Sequence, residues 1–577
     1  MKRIIIPLLF IHLFFLSCQS QEKTITIKIL QTSDVHGALF PYDFIENKTV
    51  NTSLEQVYTY VQQQRENEVV NGVLLLDNGD NLQGQPTVYY YNFIDTVNTH
   101  ILARMMNFMD FDATSLGNHD IEAGHSVYDR VRKQYDFPML CANIIETSAG
   151  KPYFTPYKVF ELNGAKIAVL GLVTPHIPHW LPENLWSGMQ FTDMLESARH
   201  WVKLINETEK PHILIGLFHA GYGSGELLEM DENASLLVAK QIPDFDAVFI
   251  GHDHQKRCEK IVNSINDSVW ILNPASNARY IAELALTLTI KGNKLISKYG
   301  QGQLIDVSKL NIRSELSQFS DQFNAIKEFV SKPIGIFTKT ISSRDAYFGP
   351  SAFVDLIHTI QLDIAKADIS FAAPLSFDTG IKADTIYIRD MFKLYKYENM
   401  LYAMELTGQE VKDFLEFSYG LWLNQMKSPD DHLLLLYKKD STSMRNGRFI
   451  NPSYNFDSAA GIIYEVDVTK PLGSRVRILK MANGQEFQLN KKYRVAINSY
   501  RGNGGGDHLI KGAGIPKDEL NSRIVYATDV DLRYYLMKWI EDQKIVNPVS
   551  LNEWKIIPEN WVKPAAKRDY ELLFGKR

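Results

Sequence analysis

The sequence predicts a layered α/β chain of at least two domains, and three observations carry that expectation. Its 577 residues exceed what one hydrophobic core can organise. From Thr24 onward, short apolar runs alternate with longer stretches of helical spacing, the pattern of strands and helices stacked in layers. Asp, His and Asn residues recur just beyond several of the apolar runs, where polar groups can converge without being stranded in a core.

The first residues read as a processing segment. Lys2 and Arg3 precede the apolar run Ile4 to Leu16, which is followed by Ser17-Cys18. That run is short for a permanent membrane span and fits an export signal. A small residue before a cysteine at its end resembles a bacterial lipoprotein box. Residues 1–18 are therefore expected to direct export, with Cys18 becoming the lipid-modified first residue of a protein of the bacterial cell envelope, periplasmic or at the surface. Plain secretion after cleavage nearby is the alternative. No other segment is long and apolar enough to span a bilayer.

Beyond it, Ile25 to Leu30, Val73 to Asp77, Lys166 to Val173, His212 to Phe218 and Ala247 to Ile250 read as strands. Leu54 to Glu66 and Thr192 to Thr208 read as helices. These place a first domain over residues 24–310. Asn311 to Val330 is polar with helical spacing and is punctuated by Pro333 and Gly335, so 311–335 reads as a linker helix. A second α/β domain follows over 336–563, opening with the helix Ser351 to Lys366. A composition of 45% apolar and 22% charged residues with net charge -6 argues against a protein that grips long nucleic acid. After Cys18 only Cys141 and Cys258 remain, too few for a disulfide framework, and Cys141 in its apolar run reads as a small buried hydrophobe.

Five clusters bear the chemistry: Asp34-Val-His36, Gly79-Asp80, Gly117-Asn118-His119-Asp120, His219 and Gly251-His252-Asp253-His254. Together they offer an oxygen and nitrogen donor set without thiolate, suited to Zn, Mn, Co or Fe at two adjacent sites. An Asp-x-His pair ending a strand would direct both side chains to one side by strand alternation, and His252/His254 would do the same. A phosphoester is anionic and repels hydroxide, so two cations about 3.5–4 Å apart are needed to activate water and hold the phosphoryl oxygens. Asp80, whose loop lies between the two ligand groups in sequence, is the expected bridging carboxylate.

This series resembles the calcineurin-like metallophosphoesterases, and Leu76-Asp77-Asn78-Gly79-Asp80 with Gln83-Gly84 looks like their secreted nucleotidase branch. The resemblance implies a metallophosphoesterase β-sandwich flanked by helices, joined by the linker to a substrate-binding domain. It puts Asp34, His36, Asp80 and His254 around one divalent ion and Asp80, Asn118, His219 and His252 around the other. His119 matches the family histidine that contacts phosphate, and Glu122 stands where the family has a shorter carboxylate paired with it. His125, His176 and His179 match no motif position and read as structural or surface residues. Leu394-Tyr395-Lys396-Tyr397-Glu398-Asn399 and Asn498-Ser499-Tyr500-Arg501 occupy the places of two substrate loops. The likeness thus implies that Tyr397 and Tyr500 sandwich a base while Asn399 bonds to it. With Ala372-Ala373-Pro374 and Tyr454-Asn455-Phe456-Asp457, these loops resemble the 2',3'-cyclic-nucleotide 2'-phosphodiesterase/3'-nucleotidase branch, and Phe377 to Lys382 lacks the arginine-rich phosphate grip of 5'-nucleotidases. The expected activity is hydrolysis of ribonucleoside 2',3'-cyclic phosphates and 3'-nucleotides. The alternatives are a 5'-nucleotidase, a sulfur-ester hydrolase and, from another class, a lipoprotein that binds nucleotides without turning them over.

Overall fold

The computed structural model describes residues 22–228, 230–437 and 449–575. The export segment and Cys18 expected from the sequence lie outside the described residues. Two six-stranded sheets form the first domain. One runs Lys294–Asp306, Tyr280–Lys291, Glu22–Thr32, Gly72–Asp77, Ala113–Ser115, Met139–Leu140, and the other Lys256–Val262, Ser268–Pro274, Ala247–Ile250, Ile213–His219, Ala165–Val173, Tyr157–Leu162.

Strand alternation explains why these sheets stack. Ile25, Ile27 and Ile29 of one sheet meet Ile167, Val169, Ile215 and Leu217 of the other in a shared core, because side chains two apart share a face. The opposite faces are apolar as well. Leu30 and Leu75 pack under helices on one side, and Ala168, Leu170 and Leu214 pack under the helix Met194–Thr208 on the other. Both sheets are thus buried on two sides and flanked by helices, a β-sandwich of layered α/β type.

Between the domains, residues 314–319 form a tight 3-10 segment that runs into the helix Ser320–Val330. The second domain centres on a five-stranded sheet, Ser458–Ala460, Ile369–Ala372, Lys492–Asn498, Leu401–Thr407, Ile524–Ala527, accompanied by two three-stranded sheets. Two features differ from the sequence reading. The strands Pro333–Phe337 and Ile341–Ser342 precede the helix Ala352–Ala365 instead of the helix opening the domain. At the other end, the helix Glu559–Phe574 continues past residue 563 with Pro564 inside it. Pro564 lacks the N–H that would bond the Asn560 carbonyl, so the helix runs on to Phe574 with that one bond missing. Cys141, buried, and Cys258 are both free thiols.

Candidate active site

All five motif clusters lie at the same end of the sandwich. Glu22–Thr32, Gly72–Asp77 and Ala113–Ser115 run parallel, as do Ala165–Val173, Ile213–His219 and Ala247–Ile250. The loops leaving their C-terminal ends converge over the gap between the sheets, where α/β folds place ligands.

Turn geometry, not strand alternation, aims the side chains. Asp34 and His36 lie beyond the strand end and have φ of 50° each; Asp80, His252 and His254 have φ of 58°, 69° and 55°. The strand argument for the Asp-x-His pair is therefore corrected: both residues reach one cluster because a left-handed turn folds the chain back on itself. Such backbone is costly for residues with a Cβ and persists where the surroundings over-determine it. The glycines in the motifs make room for carboxylates. A Cβ on Gly117 would lie 2.0 Å from Asp80 Oδ1, and one on Gly251 would lie 2.2 Å from Ser33 Oγ and 2.8 Å from Asp34 Oδ2.

Donor atoms of Asp34, His36, Asp80 and His254 form one group, and those of Asp80, His219 and His252 form a second that shares Asp80. Asn118 belongs with the latter, its Oδ1 lying 2.8 Å from His252 Nδ1. Hydrogen bonding at the rear of the rings makes this a set of lone pairs facing one another. His36 Nδ1 donates to Gln83 O at 3.0 Å and His219 Nδ1 to Asn78 O at 2.6 Å, which leaves each Nε2 as an acceptor. His36 Nε2 stands 3.1 Å from His254 Nε2, while His219 Nε2 is buried 3.2 Å from Asp80 Oδ2 without a hydrogen bond. Converging acceptors of this kind fit divalent cations, which remove the mutual repulsion.

Residues outside the expected donor set complete the construction. Asp120 accepts from the backbone N–H groups of Gly117, Asp80, Asn81 and Leu82 at 2.8–2.9 Å, pinning the Asp80 loop to the Gly117 turn. Glu232 Oε1 accepts from His252 Nε2 at 3.1 Å, and Trp180 stacks on the same ring at 5.6 Å. His176, expected to be a structural or surface residue, reaches within 4.0 Å of Glu232. No periodicity marks Glu232; only the fold brings its loop to His252. Glu232→Ala is expected to weaken metal binding at the Asn118/His252 position. The loss should sit near the lower end of the about 10–100-fold typical of such partners, because the Glu232 side chain is 38% exposed. Competition against a chromophoric chelator reads this directly, and two sites of unchanged affinity would refute it.

His119 and Glu122 lie against this cluster. His119 Nδ1 donates to Glu122 Oε2 at 2.5 Å, so the longer carboxylate does reach the ring. The backbone N–H of His119 also donates to Asp80 Oδ1 at 2.8 Å. Burial alone would lower the pKa of His119, but Asp80 and Glu122 outweigh it and raise it to about 9.

From the second domain, the Tyr397 ring lies 6.4 Å from the His119 ring and is tilted only 7° from it. Tyr454 meets Tyr397 edge-on at 6.5 Å. Tyr500 is close enough for Tyr454, Glu232 and Tyr397 to raise its hydroxyl pKa further after burial. Asn399 is buried, with its side chain beside the Tyr395 hydroxyl. The loops holding Tyr454 and Tyr500 are tied by Arg501, whose side chain is 1% exposed. It donates to Asp457 Oδ2 at 2.8 and 3.0 Å, to Tyr454 O at 2.6 Å and to Gly505 O at 2.8 Å. Arg501→Met would leave Asp457 charged and unpaired in the core. A loss of about 3–5 kcal/mol in urea unfolding is expected, and a change under about 1 kcal/mol would contradict it.

Fold and site together define a two-domain phosphoesterase that uses divalent metal ions. The chain matches the calcineurin-like phosphoesterase family over residues 27–256 and the 5'-nucleotidase C-terminal domain over residues 330–511, and it belongs to the calcineurin-like metallophosphoesterases that carry this second domain. It is 28% identical to the trifunctional nucleotide phosphoesterase YfkN of Bacillus subtilis, over 94% of this chain and 39% of that protein. It is 26% identical to the 2',3'-cyclic-nucleotide 2'-phosphodiesterase/3'-nucleotidase of Salmonella typhimurium, over 93% of this chain and 89% of the enzyme. The crystal structure of the 5'-nucleotidase precursor from Thermus thermophilus superposes with a TM-score of 0.63 at 19% identity, covering 93% of this chain and 100% of that one.

Proposed function

We propose that the protein hydrolyses ribonucleoside 2',3'-cyclic phosphates and then the 3'-nucleotides formed, releasing nucleoside and phosphate. The observation that carries this reading is the Tyr397 ring set parallel to His119 beside the donor cluster. It offers a flat base a stacking partner next to a phosphoryl site, at about 1–3 kcal/mol per stacked base. Tyrosines in both substrate loops, and the name borne by the Salmonella relative, favour the cyclic and 3' substrates. The 5'-nucleotidase second domain keeps 5'-nucleotides as the competing reading.

In this reading Asp34, His36, Asp80 and His254 hold one divalent ion, and Asp80, Asn118, His219 and His252 hold the other. When bound, the two ions supply Lewis acidity and an activated water. The chain's own residues supply orientation and charge. Glu122 fixes the His119 ring through Nδ1, leaving Nε2–H to donate to a phosphoryl oxygen as negative charge accumulates there. Tyr397 and Tyr500 hold the base, and Asn399 borders it.

The test is phosphate release from 2',3'-cyclic AMP, 3'-AMP and 5'-AMP by the Mn- or Zn-loaded protein. Turnover of the first two with little of the third is expected. A preference for 5'-AMP would replace this substrate reading with the 5'-nucleotidase one. We further infer export with a lipid anchor at Cys18, on the sequence of residues 1–18. Among the described residues no helix is long and apolar enough to cross a membrane. Cys18→Ala should move the protein from the membrane to the soluble fraction, and unchanged partitioning would refute the anchor.

A further inference from the structure

Glu398 lies between Tyr397 and Asn399 in the first substrate loop, and the proposed hydrolysis leaves it unused. Its side chain is only 6% exposed. Oε1 accepts from Arg533 Nη1 at 2.7 Å. That guanidinium is fully buried, anchored on the Tyr395 and Lys396 carbonyl oxygens at 2.8 and 2.5 Å, with Cζ 4.1 Å from the centre of the Phe392 ring. The second carboxylate oxygen, Oε2, is buried with no hydrogen-bond partner among the described residues. An unsatisfied buried acceptor costs about 1–3 kcal/mol, more when charged, and Arg533 holds this one rigidly in place.

Its loop borders the site on the His119 side. The adjacent Tyr397 ring faces His119, and Glu398 is among the charges that raise the pKa of His119. Burial, with Glu122 and Asp531 nearby, raises its pKa to about 7 against the single positive charge of Arg533, so the carboxylate is ionised above that pH. A neutral donor gains from such a spot, and a second phosphate is repelled.

We propose that Glu398 Oε2 accepts a hydrogen bond from the substrate's sugar hydroxyl farthest from the scissile phosphoryl group, and so selects nucleosides phosphorylated at one end only. The inference rests on the nucleotide reading. For 2',3'-cyclic and 3'-phosphates, the hydroxyl that both substrates keep free at that end is the 5'-OH.

The experiment compares kcat/KM of the metal-loaded wild type and Glu398→Gln on 3'-AMP, 5'-deoxyadenosine 3'-phosphate and adenosine 3',5'-bisphosphate. The wild type should lose about tenfold or more on the 5'-deoxy compound, the value of one hydrogen bond to a charged group. Glutamine keeps an acceptor for Arg533 and presents N–H to the cleft. The bisphosphate should therefore gain about tenfold relative to 3'-AMP, a gain that no folding defect produces. Equal wild-type rates with and without the hydroxyl, or a parallel fall on all three substrates in the variant, would overturn the assignment. A wild-type preference for 5'-AMP would instead overturn the substrate reading alone. The Glu398 contact is then decided in the same way with 2',3'-dideoxyadenosine 5'-phosphate.

Discussion

Asp80→Asn is expected to lower kcat/KM on every phosphoester substrate by at least about a thousandfold, and to reduce bound metal from two ions per chain to one or none. Asp80 is the one carboxylate common to both donor groups, and its side chain is 1% exposed. Its Oδ1 accepts the His119 N–H while Oδ2 faces His219. Asparagine preserves shape and removes charge, so the loss would report the electrostatic role of a carboxylate shared by both donor groups. Two-metal clamping is worth several kcal/mol of transition-state stabilisation, and each 1.36 kcal/mol is a factor of ten. Metal analysis beside steady-state kinetics checks both halves. A variant retaining two ions and a tenth of the activity would show that Asp80 does not bridge.

His119→Asn should cost about 10²–10⁴ in kcat with both metals still bound, the range for loss of a positioned donor to developing phosphoryl charge. The pH profile separates its partner's role. The required form is the protonated ring, which Asp80 and Glu122 hold up to about 9 against burial, so activity falls as pH rises through that pKa. Bound metal ions pull the pKa down, and the alkaline limb is expected below about 9. Glu122→Gln removes one of the supporting carboxylates. The ring then loses its proton at lower pH, and the limb moves toward neutrality while metal content stays at two. A limb that stays in place would mean that Glu122 orients the ring without tuning it, or that another group titrates.

Much of this site was legible from residue order. Six of the seven expected donors, which the structure gathers into two groups, sit in short motifs just past apolar runs, and the family resemblance pointed to the His119–Glu122 pair. The reason given for their aim was different: the Asp34/His36 and His252/His254 pairs depend on left-handed turns, which a two-residue spacing does not reveal. Asp120 was visible only as the last letter of Gly-Asn-His-Asp, although four backbone N–H groups end on its carboxylate. Glu232, Trp180 and Arg533 carried no signal at all.

Residue order was enough to establish the alternation of apolar strands with helices, the oxygen and nitrogen donor set, and where the motif glycines stand. These are local properties, set by side-chain period and by which residues lack a Cβ. What stands behind each donor came only from the folded arrangement: a carboxylate on His252, backbone carbonyls on His36 and His219, and an arginine on one oxygen of Glu398. The fold also set the second domain's Tyr397 against the first domain's His119, 278 residues away in sequence. Such pairings arise between segments far apart in the chain, whose approach depends on how whole domains pack and not on any spacing within either segment.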